Sequence, residues 1–133
     1  RRAGRADRRD RACALAVIVP AQAVRVVIAT KPVDFRKGHD GLAALAQSEL
    51  GLDPHSGLIV VFRSKRGDRI KVLLWDGSGL VLVYKRLESG QFAWPKVQDG
   101  MMRLSRGQFE ALFEGLDWRR VLPQRVRRPA AAE

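Results

Sequence analysis

"RSKRGDRIKVLLWDGSGLVLVYKRLE", residues 63–88, sets two apolar runs on either side of Asp76-Gly77-Ser78-Gly79. An Asp-Gly turn between such runs is a strong hairpin signal, because glycine enters the tight turn without the steric cost other residues meet. With Gly77-Ser78 at the tip, Leu74 faces Val81, Val72 faces Val83 and Ile70 faces Lys85. The other face then pairs Trp75 with Leu80, Leu73 with Leu82, Lys71 with Tyr84 and Arg69 with Arg86. Side chains alternate across a strand, so this division follows from the register alone. The first face is expected to meet the core. The second is apolar near the tip and basic at the open end.

Outward from the hairpin, Val24–Thr30 and Leu58–Arg63 are short and rich in β-branched residues, which predicts two further strands. Between them Leu42, Leu45, Ala46 and Leu50 recur at helical spacing, Asp34 or Asp40 is placed to cap the start, and Gly51 ends the helix. After the hairpin, Gln91–Trp94 is expected as a fifth strand ended by Pro95, with a brief pairing at Met101–Leu104. Ser105 and Gln108 form a capping-box pattern ahead of an apolar face of Phe109, Leu112, Phe113 and Leu116. Short turns between consecutive strands predict an α+β single domain: an antiparallel β-meander of about five strands, with two helices packed against it and shielding one face.

Of the 133 residues 46% are hydrophobic, enough for one core, and the net charge of +11 directs attention to polyanions. Residues 1–13 and 119–133 each carry a net +4, so residues 14–118 hold only +3. The segment Arg63–Lys71 alone carries five basic residues and one acid. Arg63, Lys65, Arg66, Arg69, Lys71, Tyr84, Lys85 and Arg86 are therefore the candidate nucleic-acid-binding residues. The competing reading is a solvated outer face whose Lys and Arg stems cover apolar neighbours and discourage edge pairing.

The residue patterns offer little chemistry. Cys13, His39 and His55 have no metal-ligand spacing, no glycine-rich phosphate loop is present, and no serine has a placed histidine. Asp34, Asp76 and Glu110 are the acids a metal-dependent phosphoryl-transfer site would use. A cap or an Arg36 partner accounts for Asp34, a turn for Asp76 and a helix surface for Glu110. Trp94 and Trp118 lie near element ends, where stacking on bases and closing a core edge are both open to them. No catalytic residue, cofactor, metal or small-molecule substrate is expected.

At the amino end, six arginines precede the apolar run Ala12–Val19 and a small-residue site at Ala21-Gln22-Ala23, the outline of an export signal. Asp7 and Asp10 interrupt that outline, and the run is short. The other reading takes residues 1–16 as upstream sequence outside the natural protein. One cysteine and no long apolar run fit a cytoplasmic protein without a membrane partner.

Four motifs together resemble one family. They are "DFRKG" at residues 34–38, "FRSKRGDRIKVLLWDG" at 62–77, "KRLESGQFAWP" at 85–95 and "LFEGLDW" at 112–118. The chain resembles the TnpB accessory proteins, products of the second open reading frame in the IS66 family of bacterial insertion sequences. Phe35 and Leu74 stand where that family usually has Met and Trp. The resemblance implies a non-catalytic protein of transposition. Its implied partners are the element's separate transposase and DNA at the element ends. It also places the family's initiator at Val17. The expected organisation is a spurious or disordered 1–16, an accessory domain over 17–120 and a disordered basic tail over 121–133. The basic hairpin is the expected contact with nucleic acid; the alternative is an adaptor that docks on the transposase and leaves DNA untouched.

Overall fold

The computed structural model describes residues 25–96 and 100–122. The readings made of residues 1–16 and of the tail from 123 onward lie outside the described residues. Five strands form one sheet: β1 (Val26–Ala29), β2 (Ile59–Arg63), β3 (Arg69–Trp75), β4 (Leu80–Arg86) and β5 (Met101–Leu104). Helix α1 (His39–Leu50) joins β1 to β2, and helix α2 (Arg106–Phe113) follows β5, ahead of a 3-10 turn at Trp118–Arg120.

The hairpin has the register read from its turn. Every pair from Arg69–Arg86 to Trp75–Leu80 is present. The Asp76 carboxylate accepts from the Ser78 and Gly79 amides at 3.0 Å each, and Gly77 carries a φ of 106°. These bonds make Asp76 a turn residue, and they hold its carboxyl below the ordinary pKa, the Ser78 amide contributing most.

The meander does not extend through the whole sheet. The strand order is β4-β3-β2-β1-β5, and β1 runs parallel to β2. A parallel pair needs a crossover, and α1 supplies it. The fifth strand is not Gln91–Trp94. That segment carries no strand, while Met101–Leu104 pairs antiparallel with β1. Residues 91–94 are tied elsewhere: the Phe92 amide donates to the Gly67 carbonyl at 2.8 Å and the Trp94 indole to the Ala29 carbonyl at 3.0 Å. They cross one face of the sheet and bury Phe92 in the core.

The helices lie on opposite faces, a correction to the expectation that both shield one. On one side, Val26, Ile28, Ile59, Val61, Ile70, Val72 and Leu74 pack with Phe109 and Leu112 of α2, together with Phe92 and Trp118. On the other, Val27, Ala29, Val60, Phe62 and Leu73 pack with Leu42, Ala43 and Ala46 of α1. All four residues of β1 are buried, as a strand covered on both faces requires. Burying a side chain such as Phe62 or Phe109 contributes about 1.5–3 kcal/mol.

The helix ends differ in kind. Ser105 and Gln108 form the expected capping box, with the Gln108 amide donating to Ser105 Oγ at 3.1 Å and the Ser105 amide to the Gln108 side chain at 2.9 Å. Leu116, expected on the α2 apolar face, lies beyond that helix and is exposed. At α1 the N-cap is Gly38 without a side-chain cap, so neither Asp34 nor Asp40 fills that role. Gly51 ends α1 at a left-handed φ of 65°.

Candidate nucleic-acid interface

Three of the sequence motifs converge at one end of the sheet. The loop carrying residues 31–38 leaves β1 and passes beside the turn between β2 and β3. Its Val33 amide donates to the Arg63 carbonyl at 3.1 Å. That turn is held by its own bonds, Gly67 amide to Ser64 carbonyl at 3.0 Å and Ser64 Oγ to Asp68 at 3.4 Å. From its other flank the Gln91 side chain donates to the Arg66 carbonyl at 2.6 Å. Between loop and turn lies an open cleft of about 580 Å3, walled by Pro32, Val33, Asp34 and Phe35 on one side and by Ser64, Lys65, Arg66, Asp68 and Arg69 on the other.

Lys71 fastens the two walls together. It is 5% exposed, and its ammonium donates to the carbonyls of Phe35 and Lys37 at 2.8 Å each. The same nitrogen lies 4.9 Å from the ring centroids of both Phe35 and Tyr84, which meet edge to face. A cation this buried stands only because carbonyls and π-faces replace its water. Lys71 is thus committed to holding residues 35–37 against the sheet, and it stands apart from the exposed cations of the rim.

The remaining candidates divide into separate groups. Lys65 and Arg66 are exposed at the turn, and among the described residues neither forms an ion pair. Arg69 donates to the Tyr84 hydroxyl at 3.0 Å and lies 3.9 Å from Asp68, which turns it away from Arg86, its partner in the register. Arg86 is exposed, and so is half of Tyr84. Arg63 and Lys85 belong to the α2 side of the sheet. The Arg63 guanidinium sits 5.9 Å from the Trp94 ring centroid, and Lys85 donates to the Phe113 carbonyl with its ammonium 4.7 Å from that ring. These two therefore do not join the basic cluster.

Loop residues 34–37 complete the site. Asp34 is clasped by Arg36, whose Nη2 approaches one carboxylate oxygen at 2.8 Å. That side-chain bond, then one from the Arg36 amide, holds the Asp34 carboxyl down to about 2. The acid on this wall is already neutralised, so the cations across the cleft face little opposing charge. Lys37 adds an exposed cation nearby. No composition or periodicity signal marked this loop as a wall. Only the "DFRKG" motif stood out.

The other acids are committed locally: Glu110 pairs with Arg106 at 3.1 Å, and Asp76 serves its turn. Among the described residues no group of three His, Cys, Asp or Glu could hold a metal, and no helix is long and apolar enough to cross a membrane. Trp94 and Trp118 close the core edge, the Trp118 indole donating to the Ala93 carbonyl at 2.7 Å.

A five-stranded mixed sheet with a helix on each face and a basic cleft at one end makes a small α+β domain. Residues 24–123 match the family model described as IS66 Orf2 like protein, and the chain belongs to that family. It is thereby an accessory protein of insertion-sequence transposition. It is similar to uncharacterized protein y4jC of Sinorhizobium fredii, with 50% identity over 113 residues covering 85% of this chain and 97% of that protein. Uncharacterized protein y4hO of the same organism is 43% identical over 108 residues, covering 81% and 92%. No solved structure gives a significant match.

Proposed function

We propose that this accessory protein binds nucleic acid through the rim of the cleft, with Lys65, Arg66 and Arg69 as the principal phosphate contacts and Lys37 and Arg86 flanking them. The observation that supports this is the placement of three cations along one wall while the Asp34 carboxylate opposite is clasped by Arg36. Phosphate contacts of this kind supply affinity without reading sequence. The cluster lies on turns and strand ends, so its charge adds little strain to the fold. The element's transposase is the partner such a complex would serve.

The test is duplex binding measured across a salt series, with residues 1–16 removed so that the arginine-rich end does not bind in place of the cleft. Deleting one cation that neutralises a phosphate should lower the slope of log affinity against log salt by about one. Lys65→Ala, Arg66→Ala and Arg69→Ala combined should lower it by about three and weaken binding to all sequences alike. Unchanged binding at every salt concentration would leave the adaptor reading, in which the protein docks on the transposase.

A further inference from the structure

The outer edge of β4 carries an inference that does not rest on nucleic-acid binding. β4 is the last strand of the sheet and pairs only with β3. The Asp76–Gly79 and Asp68–Leu87 backbone bonds set the phase of that antiparallel ladder. Val81, Val83 and Lys85 therefore turn their amides and carbonyls toward β3, and Leu80, Leu82, Tyr84 and Arg86 turn theirs outward. Among the described residues no backbone group bonds to this second set.

Edges of this length are ordinarily guarded by a proline, a bulge or a lysine held across them. β4 has seven residues in unbroken register and no proline. Its two charged residues lie together at one end, Lys85 turned beneath the sheet to the Phe113 carbonyl and Arg86 exposed, so residues 80–84 are uncharged. Leu80 and Leu82 continue the α1-side core to the rim, and Val81 and Val83 do the same on the α2 side, all four only partly buried.

We propose that β4 is a self-pairing edge through which two copies of this chain join antiparallel about Val83. The strand is complementary to itself in that register. Leu80 faces Arg86 of the second copy and Leu82 faces its Tyr84, so all four outward residues become hydrogen-bonded pairs. Val83 meets Val83, and Val81 meets Lys85. Arginines of the two copies lie ~20 Å apart along the strands, so like charges are never opposed. Leu82 against Tyr84 on the α1 side and Val83 against Val83 on the α2 side then carry apolar contact across the junction on both faces, which is what selects a second copy over an unrelated strand.

Sedimentation equilibrium of the full chain at about 150 mM salt, where charge repulsion between copies is screened, is the direct measurement. The wild type should dimerise. Val83→Lys and Val83→Glu should each weaken self-association by about tenfold or more, and mixing the two variants should restore a dimer. Melting curves confirm that each variant is folded. Should either fail to fold, Val83→Cys in a Cys13→Ser background reports the same contact: it should cross-link under oxidation, while Val81→Cys should not. A wild type that stays monomeric up to roughly 500 µM overturns the proposal. So do lysine and glutamate variants that dimerise like the wild type, or equal cross-linking at 81 and 83.

Discussion

The Lys71 ammonium donates to the Phe35 carbonyl at 2.8 Å, joining a central strand to a loop 36 residues earlier in the chain. With its second bond, to the Lys37 carbonyl, it fixes the wall that faces Lys65 and Arg66. The most buried cation of the hairpin thus shapes the cleft beside which the exposed cations sit.

Lys71→Met should lower stability by about 1–3 kcal/mol, because two carbonyls lose their donor. For a domain of this size the melting temperature should fall by several degrees. Hydrogen exchange should rise in residues 34–38 and leave the β3–β4 ladder protected.

Lys85→Met separates structural charge from binding charge. It removes the bond to the Phe113 carbonyl and should lower the melting temperature. The salt slope of duplex binding should stay at the parent value, because this side chain points to the α2 side. A slope lowered by one would return Lys85 to the interface.

Asp34 should make stability depend on pH at the acid end. Its carboxyl is lowered from 3.8 to about 2 in the folded protein, so its contribution is complete above the unfolded value. That contribution is lost as pH falls from about 4 through about 2, where the carboxylate binds its proton. Melting temperatures recorded from pH 7 to pH 2 should show a shallower acid decline for Asp34→Asn than for the parent. The gap should narrow in high salt, because the pair is exposed.

Asp76→Ala should lower the melting temperature, since the Ser78 and Gly79 amides lose their acceptor at the hairpin tip. Asp76→Asn keeps an acceptor oxygen and should preserve both fold and transposition. Loss of transposition with an unchanged melting temperature and circular dichroism spectrum would point to a chemical role for the carboxylate.

Ser105→Ala should cost about 1 kcal/mol through the capping box of α2, read as a lower denaturant midpoint with an unchanged slope.

The sequence by itself determined the hairpin register, the Asp76 turn, the Ser105 cap, the Gly51 stop and the presence of β1 to β4. Each of these is settled between residues close in the chain, where turn geometry and a period of two or 3.6 leave one arrangement. It also marked Lys65, Arg66, Arg69 and Arg86, because charge on turns and strand ends stays at the surface. Only the tertiary structure decided that α1 and α2 cover opposite faces, that β1 runs parallel to β2, and that Phe92 and Trp94 cross the sheet instead of joining it. It alone divided the basic residues, sending Lys71 to carbonyls of the "DFRKG" loop and Lys85 to the end of α2. The Lys71–Lys37 and Trp94–Ala29 bonds span 34 and 65 residues. A lysine stem reaches water or a buried carbonyl with equal ease, so its destination depends on which distant segment packs beside it.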